Sequence, residues 1–420
     1  MTTDLMARRA AALGPNMSTF YDDPVHIVRG DGVWLWDADG KQYLDCYNNV
    51  PHVGHCHPHV VEAIARQAAT LNTHTRYLHE GILVYVERLT ATFTQPMQAI
   101  MTCTGSEAND IALRMAQAVT GKRGFIATNA TYHGNTTAVS QLSRRRPPIG
   151  GYPENVRLVP APTTLTPLGG SMKAQGAAFA EGVRQAIAEL EESGSGFAGI
   201  MLCPIFANEG LPDLPDDFLQ PTAQAVADAG GLLIADEVQP GFGRTGRHIW
   251  SHAWMDVTPD VVTLGKPMGN GHPVAACVAK PDVMSAFREA FGYFNTFGGN
   301  PVSCAAANAV LDVIESDNLI AHAAAMSPRV TAALRTLDFH ADAHIRGRGQ
   351  FYAVELTRDG APAADLAAWL IEALKARGVL MGVIGPHRNI IKFRPPMPFG
   401  EDHAGLLMTR MEEALSACPI

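Results

Sequence analysis

"GLLIADEVQPGFGRTG", residues 231–246, decides the fold. Leu232 to Ala235 form an apolar run without polar alternation, and it ends in two adjacent carboxylates, Asp236 and Glu237. Such short uninterrupted runs mark strands covered on both faces, the habit of parallel sheets. The pattern recurs outward in both directions, in "AIMTCTG" (99–105), "RGFIATN" (123–129), "GIMLCPIF" (199–206) and "VVTLGK" (261–266). Between these runs lie helical segments, "SEANDIALRMAQAV", "AEGVRQAIAELEES" and "FLQPTAQAVADA". In the first of them Ile111, Met115 and Val119 recur at four-residue spacing, the apolar stripe of one helix face. This alternation predicts an α/β fold, a mostly parallel sheet flanked by helices, with ligands beyond the carboxyl ends of its strands.

The flanks read differently. "DGVWLWDADGKQYLDC" alternates about Asp39-Gly40, the signature of a hairpin, and "HPHVVEAIARQAATL" turns helical after it. Beyond the long helix expected in "GGNPVSCAAANAVLDVIE", helices mix with short strands such as "GQFYAVEL" and "NIIKFRPPM". The expected division is residues 1–60 as an N-terminal segment contributing to a small domain, 61–310 as the large domain, and 311–420 as a C-terminal small α+β domain. Residues 144–176, rich in Arg, Pro, Gly and Thr, are expected to be a surface loop.

The chain of 420 residues is 47% hydrophobic and 17% charged, ordinary composition for a globular protein. Its net charge of -9 argues against nucleic acid or an anionic membrane as partner. Seven scattered cysteines, none in C-x-x-C spacing, favour a reducing, cytoplasmic setting. The N-terminal "MTTDLMARRAAALGPN" is too short in apolar residues for an export signal, and no window is long enough for a membrane helix.

Three features fall at strand ends. Gly105 and Ser106 open a helix, where free N–H groups and the dipole together attract an anion, although a Gly-Ser turn can equally be a plain cap. Asp236 closes a buried strand, where a lone aspartate would as readily be a salt-bridged cap. Lys266 follows another strand among Pro267, Gly269 and Gly271. It is either an amine made nucleophilic by an apolar surround or a lysine reaching out to solvent. A phosphate cradle, a buried carboxylate and a shielded lysine together match the needs of pyridoxal 5'-phosphate. Lysine forms the Schiff base with its aldehyde, and a carboxylate keeps its ring nitrogen protonated.

"TGSEAND", "YHG", "LLIADEVQPGFGRTG", "LGKPMGNG" and "NTFGGNP" resemble the class III aminotransferases, of the fold type I pyridoxal phosphate enzymes, in order, spacing and context over nearly the whole chain. The resemblance implies that Gly105 and Ser106 hold the cofactor phosphate and that Tyr132 stacks on the ring beside His133. It implies that Asp236 meets the ring nitrogen, Val238 packs on the other face, Gln239 reaches the phenolic oxygen side and Lys266 carries the internal aldimine. Thr296 matches a residue that reaches the phosphate from a second subunit, which implies a homodimer with shared sites.

Transamination and elimination begin alike, and these motifs do not separate them. Transamination between an amine or amino acid and a keto acid or aldehyde is the first expectation, being the commonest activity among similar chains. The alternative is a phospho-lyase acting on phosphoethanolamine-like amino-alkyl phosphates. "YLDCYNNVPHVGHCHPHVVEAI" and "LNTHTRYLHE" resemble the subgroup of phosphoethanolamine phospho-lyase and its alanine–glyoxylate aminotransferase relatives. Where a glutamate is frequent, the strand "CPIFANEG" carries Cys203, and Lys392 stands where many members carry an α-carboxylate-binding arginine. Arg394, two residues on, would face the same side of a strand and could deputise. Arg144, Arg145 and Arg146 are a candidate for a substrate phosphate or a solvated loop. The histidines of "PHVGHCHPH" suit a helix entry better than a metal site, and the "GFGRTG" glycines do not open a helix in dinucleotide-loop frame. Arg244 is expected to organise that loop.

Overall fold

The structure is a computed structural model that describes residues 2–143 and 149–419. Arg144, Arg145 and Arg146 lie outside the described residues. At its centre is a seven-stranded sheet, in the order Gln98–Thr102, Ala275–Ala279, Val261–Leu264, Leu232–Asp236, Phe197–Leu202, Gly124–Thr128, Val156–Val159. Ala275–Ala279 is antiparallel to both of its neighbours, and the remaining pairings are parallel. The fold is α/β with a mostly parallel sheet, as the apolar runs implied.

The central strand shows why those runs lack alternation. Leu232 and Ile234 pack with Ala108, Ile111, Ala112 and Met115 of the Gly105–Thr120 helix. Leu233 packs on the other side with Phe179, Val183 and Ile187 of the Gln175–Glu192 helix and with Val226 of Gln220–Asp228. Each such buried aliphatic side chain is worth about 1.5–3 kcal/mol, so neither face tolerates a polar residue. Val119 departs from its expected place: it is exposed in the last turn of the helix, just before the left-handed Gly121 that ends it.

One expectation needs correcting. The segment 144–176 is not merely a loop, since Val156–Val159 pairs in parallel with Gly124–Thr128 and closes one edge of the sheet. Only Val156 and Val159 of that strand are buried, so a four-residue edge strand shows little periodicity. The hairpin about Asp39-Gly40 is present, with Trp34–Asp37 antiparallel to Gln42–Asp45. Gln42–Asp45 also pairs in parallel with Val379–Leu380 from the far end of the chain. Tyr352–Arg358 and Ile390–Phe393 belong to a third sheet. The link between Leu44 and Val379 supports our proposal that residues 1–60 and 311–420 form one small unit beside the 61–310 domain. Among the described residues, no helix is long and apolar enough to cross a membrane.

Candidate active site

Four strands end on the same side of the sheet, and the residues that follow them meet there. Gln98–Thr102 leads to Gly105, Phe197–Leu202 to Cys203, Leu232–Asp236 closes on its own carboxylate, and Val261–Leu264 leads to Lys266. A cavity of about 330 Å³ lies between them. Its lining includes Gly105, Ser106, Tyr132, His133, Asp236, Val238, Gln239 and Lys266, so eight of the expected residues come together.

The two carboxylates of the opening stretch have different surroundings. Glu237 is fully buried and accepts from the Ser251 hydroxyl at 2.8 Å, the His252 amide at 2.7 Å and His252 Nδ1 at 3.0 Å. Asp236 faces the cavity. Its Oδ2 lies 2.6 Å from His133 Nδ1 and accepts from Asn109 Nδ2 at 3.2 Å, while Oδ1 accepts from the Val238 amide at 3.0 Å. His133 Nε2 lies 3.0 Å from the Thr131 hydroxyl, and the Asn109 amide also donates to the His133 carbonyl at 2.6 Å. Three donors therefore fix the orientation of the Asp236 carboxylate.

The N-terminus of the Gly105–Thr120 helix is closed by a capping box. The Glu107 amide donates to the Thr104 hydroxyl at 3.1 Å, and Glu107 Oε2 accepts from the amides of Cys103 and Thr104 at 3.0 and 2.9 Å. First-turn amides have no partner within their own helix, and Gly105 and Ser106 of that turn line the cavity, a setting suited to an anion. A side chain at Gly105 would put a Cβ 2.9 Å from Val238 Cγ2. Gly134, at φ +144°, brings backbone so close to Ser106 that a Cβ would lie 2.6 Å from its hydroxyl.

Lys266 opens a short 3-10 turn at φ 35°, a conformation uncommon for a residue with a side chain and held only where the surroundings impose it. Burial, together with the Arg394 charge, draws its amine below the ordinary lysine range, while Asp236 opposes this. Cys203 also lines the cavity, and burial raises its thiol well above the usual range.

Three expected residues lie outside the cavity lining. Thr296 is exposed in the loop after the Pro281–Ala290 helix. Lys392 is buried, with its Nζ donating to the Ala207 carbonyl at 3.1 Å. Arg394 is buried with its guanidinium 4.9 Å from the Tyr47 ring centroid. Arg244, fully buried, donates to the carbonyls of Gln350 and Pro395 and lies 3.1 Å from His52 Nδ1. It ties the "GFGRTG" loop to the C-terminal part of the chain. His52, His55 and His59 go to separate partners: Phe242 and Arg244, Asp45, and Asp312.

Sequence reasoning missed Asn109, Thr131 and Asn208. Asn109 had a readable signal, since it is a polar residue on the sheet-facing side of an apolar helix stripe. Asn208 had none, because its role depends on how a loop folds back: its Oδ1 accepts from Gln239 Nε2 at 3.0 Å, and its Nδ2 donates to the Tyr132 carbonyl at 3.2 Å.

The donor set fits pyridoxal phosphate. Anion-seeking amides stand at one part of the cavity, an oriented carboxylate and a depressed lysine at others, and Tyr132 and Val238 supply apolar surface for a ring. The comparisons with known proteins agree. The pattern of the family described as aminotransferase class-III matches residues 17–415. A Drosophila melanogaster protein named alanine–glyoxylate aminotransferase 2-like is 37% identical, over 99% of this chain and 87% of its own length. A Caenorhabditis elegans ethanolamine-phosphate phospho-lyase homolog is 35% identical over 98% of this chain and 93% of its own. An Arthrobacter phospholyase solved in complex with phosphoethanolamine is 40% identical, covering 99% of this chain and 100% of that one, with a TM-score of 0.95. The chain belongs to the class III aminotransferase family of pyridoxal phosphate-dependent enzymes.

Proposed function

We propose that this enzyme eliminates phosphate from a short amino-alkyl phosphate of the phosphoethanolamine kind. The observation that carries the reading is the arrangement at positions 392 and 394. A transaminase working with a keto acid has to grip a carboxylate, and arginine does so with two parallel hydrogen bonds that lysine cannot reproduce. Here position 392 is a lysine whose amine is bonded to a backbone carbonyl, and Arg394, although its charge reaches the Lys266 amine, is buried against the Tyr47 ring and does not line the cavity. The likeness to the phosphoethanolamine-bound Arthrobacter phospholyase supports the same reading. Transamination is the second reading, favoured by the Drosophila relative's name.

In this account the Gly105 and Ser106 amides and the Ser106 hydroxyl hold the cofactor phosphate, with Thr296 of a second copy completing the grip in a homodimer. Tyr132 and Val238 would cover the ring, with Gln239 toward its phenolic side and Asp236 toward its nitrogen. Bound pyridoxal phosphate supplies an electron sink for the pair released when a bond at the substrate α-carbon breaks. Lys266 would hold the cofactor through its amine, and the same amine is placed to take the proton from the substrate α-carbon. Its lowered pKa raises the share of neutral amine available for this step. With water the balance is acetaldehyde, ammonia and inorganic phosphate from phosphoethanolamine. The test is holoenzyme with phosphoethanolamine and no keto acid. Phosphate released over many turnovers bears the proposal out, whereas a halt after one equivalent of carbonyl product per site favours transamination.

A further inference from the structure

The loop between Cys203 and Leu214 is held on one side and acts on the other. Three basic side chains from the C-terminal part of the chain donate to its carbonyls: Lys392 to Ala207 at 3.1 Å, Arg346 to Gly210 at 2.9 Å and Arg348 to Leu214 at 2.8 Å. Lys392 and Arg346 are buried, so these bonds are shielded from competing water. Glu209 adds a fourth tie, with its Oε1 accepting from the Thr128 hydroxyl and its Oε2 from the Asn208 amide at 3.1 Å.

The residue fixed between Ala207 and Glu209 is Asn208. Its side chain bridges two cavity residues that follow different strands of the sheet, Gln239 and the backbone of Tyr132. Asn49 Nδ2 completes the arrangement at the Gln239 carbonyl, at 3.5 Å. We propose that Asn208 is a positioning residue that sets Gln239 and Tyr132 against the cofactor, and that Lys392 acts on the site through the Ala207 carbonyl beside it. A two-bond bridge of this kind holds two groups in fixed relation, and Asn208 lines the same cavity beside them. The inference rests on Gln239 and Tyr132 facing the cofactor and is independent of which reaction follows.

The test is a double-mutant cycle read by cofactor binding to the apoenzyme, not by turnover. Asn208→Ala and Gln239→Ala are each expected to weaken pyridoxal phosphate binding by about tenfold, the scale of one or two shielded hydrogen bonds. The double variant is expected to lose no more than roughly threefold beyond the weaker single variant, because both changes remove the same constraint. Additive losses, or unchanged binding in Asn208→Ala, would overturn the proposal. Should Asn208→Ala not fold, Asn208→Asp enters the same cycle, since it keeps an acceptor for Gln239 and loses the donor to Tyr132. Lys392→Met separates the second clause. It is expected to weaken cofactor binding and shift the holoenzyme's visible absorbance, with little change in substrate KM. A large rise in KM with cofactor binding and absorbance unchanged would mean that Lys392 touches the substrate directly.

Discussion

At the scale of the residue, two groups line one cavity with opposite charge and opposite tasks in the proposed chemistry, Asp236 and Lys266. Asp236→Asn keeps the shape and removes the charge that we propose faces the ring nitrogen. Its kcat is expected to fall by on the order of a hundredfold or more while cofactor remains bound. Steady-state kinetics alongside cofactor titration checks this, and a loss of binding with kcat preserved would contradict it. Lys266 makes a pH prediction for the apoenzyme. Its folded pKa lies below the ordinary value of 10.5, so the unfolded chain binds more protons between the two values. The buried amine therefore costs stability at neutral pH, and that cost is relieved as pH rises toward 10.5. Lys266→Met apoenzyme should be more stable than wild type at pH 7, with the gap in Tm narrowing toward pH 10. A gap independent of pH would show that the amine titrates normally. Both groups were legible in the sequence because each breaks an apolar run at its carboxyl end. Asn208 was not, since no periodicity reports where a loop side chain will land.

At the scale of the element, the Gly105–Thr120 helix links stability to cofactor binding. Its capping box uses Thr104 and Glu107, whose bonds also set the direction of the turn that presents Gly105 and Ser106. Thr104→Ala is expected to cost about 1 kcal/mol, seen as a lower apoenzyme Tm, and to weaken cofactor binding as well. Normal cofactor affinity at a lowered Tm would confine the cap to a structural role. Gly134→Ala is expected to cost about 1–3 kcal/mol, because it adds strain at φ +144° and a close approach to the Ser106 hydroxyl. The parallel strands were readable from sequence because helices cover both faces, so their apolar runs are continuous. Val156–Val159 was not, because an edge strand of four residues with half its side chains only partly buried looks like the loop around it.

At the scale of the whole molecule, Thr296 bears on assembly. It is exposed in one chain and absent from the cavity lining, yet the family resemblance gives it a role at the phosphate. Shared sites in a homodimer make a complementation prediction. Mixing Lys266→Ala protomers with Thr296→Arg protomers leaves one site in each heterodimer intact, so a random mixture should recover about a quarter of wild-type activity. No recovery after verified subunit exchange would mean that each chain builds its site alone. Fold class and cofactor were both in the sequence, because they rest on strand-end motifs that also bring eight of the expected residues to one cavity. The choice between elimination and transamination was not, because our proposal rests on where the buried side chains at 392 and 394 turn, which no motif reports. The most direct measurement is the absorbance spectrum of the holoenzyme through a single turnover of phosphoethanolamine without keto acid. Elimination predicts that the spectrum returns to its starting form as phosphate appears. A spectrum that stays changed until a keto acid is added, with no phosphate released, would contradict it.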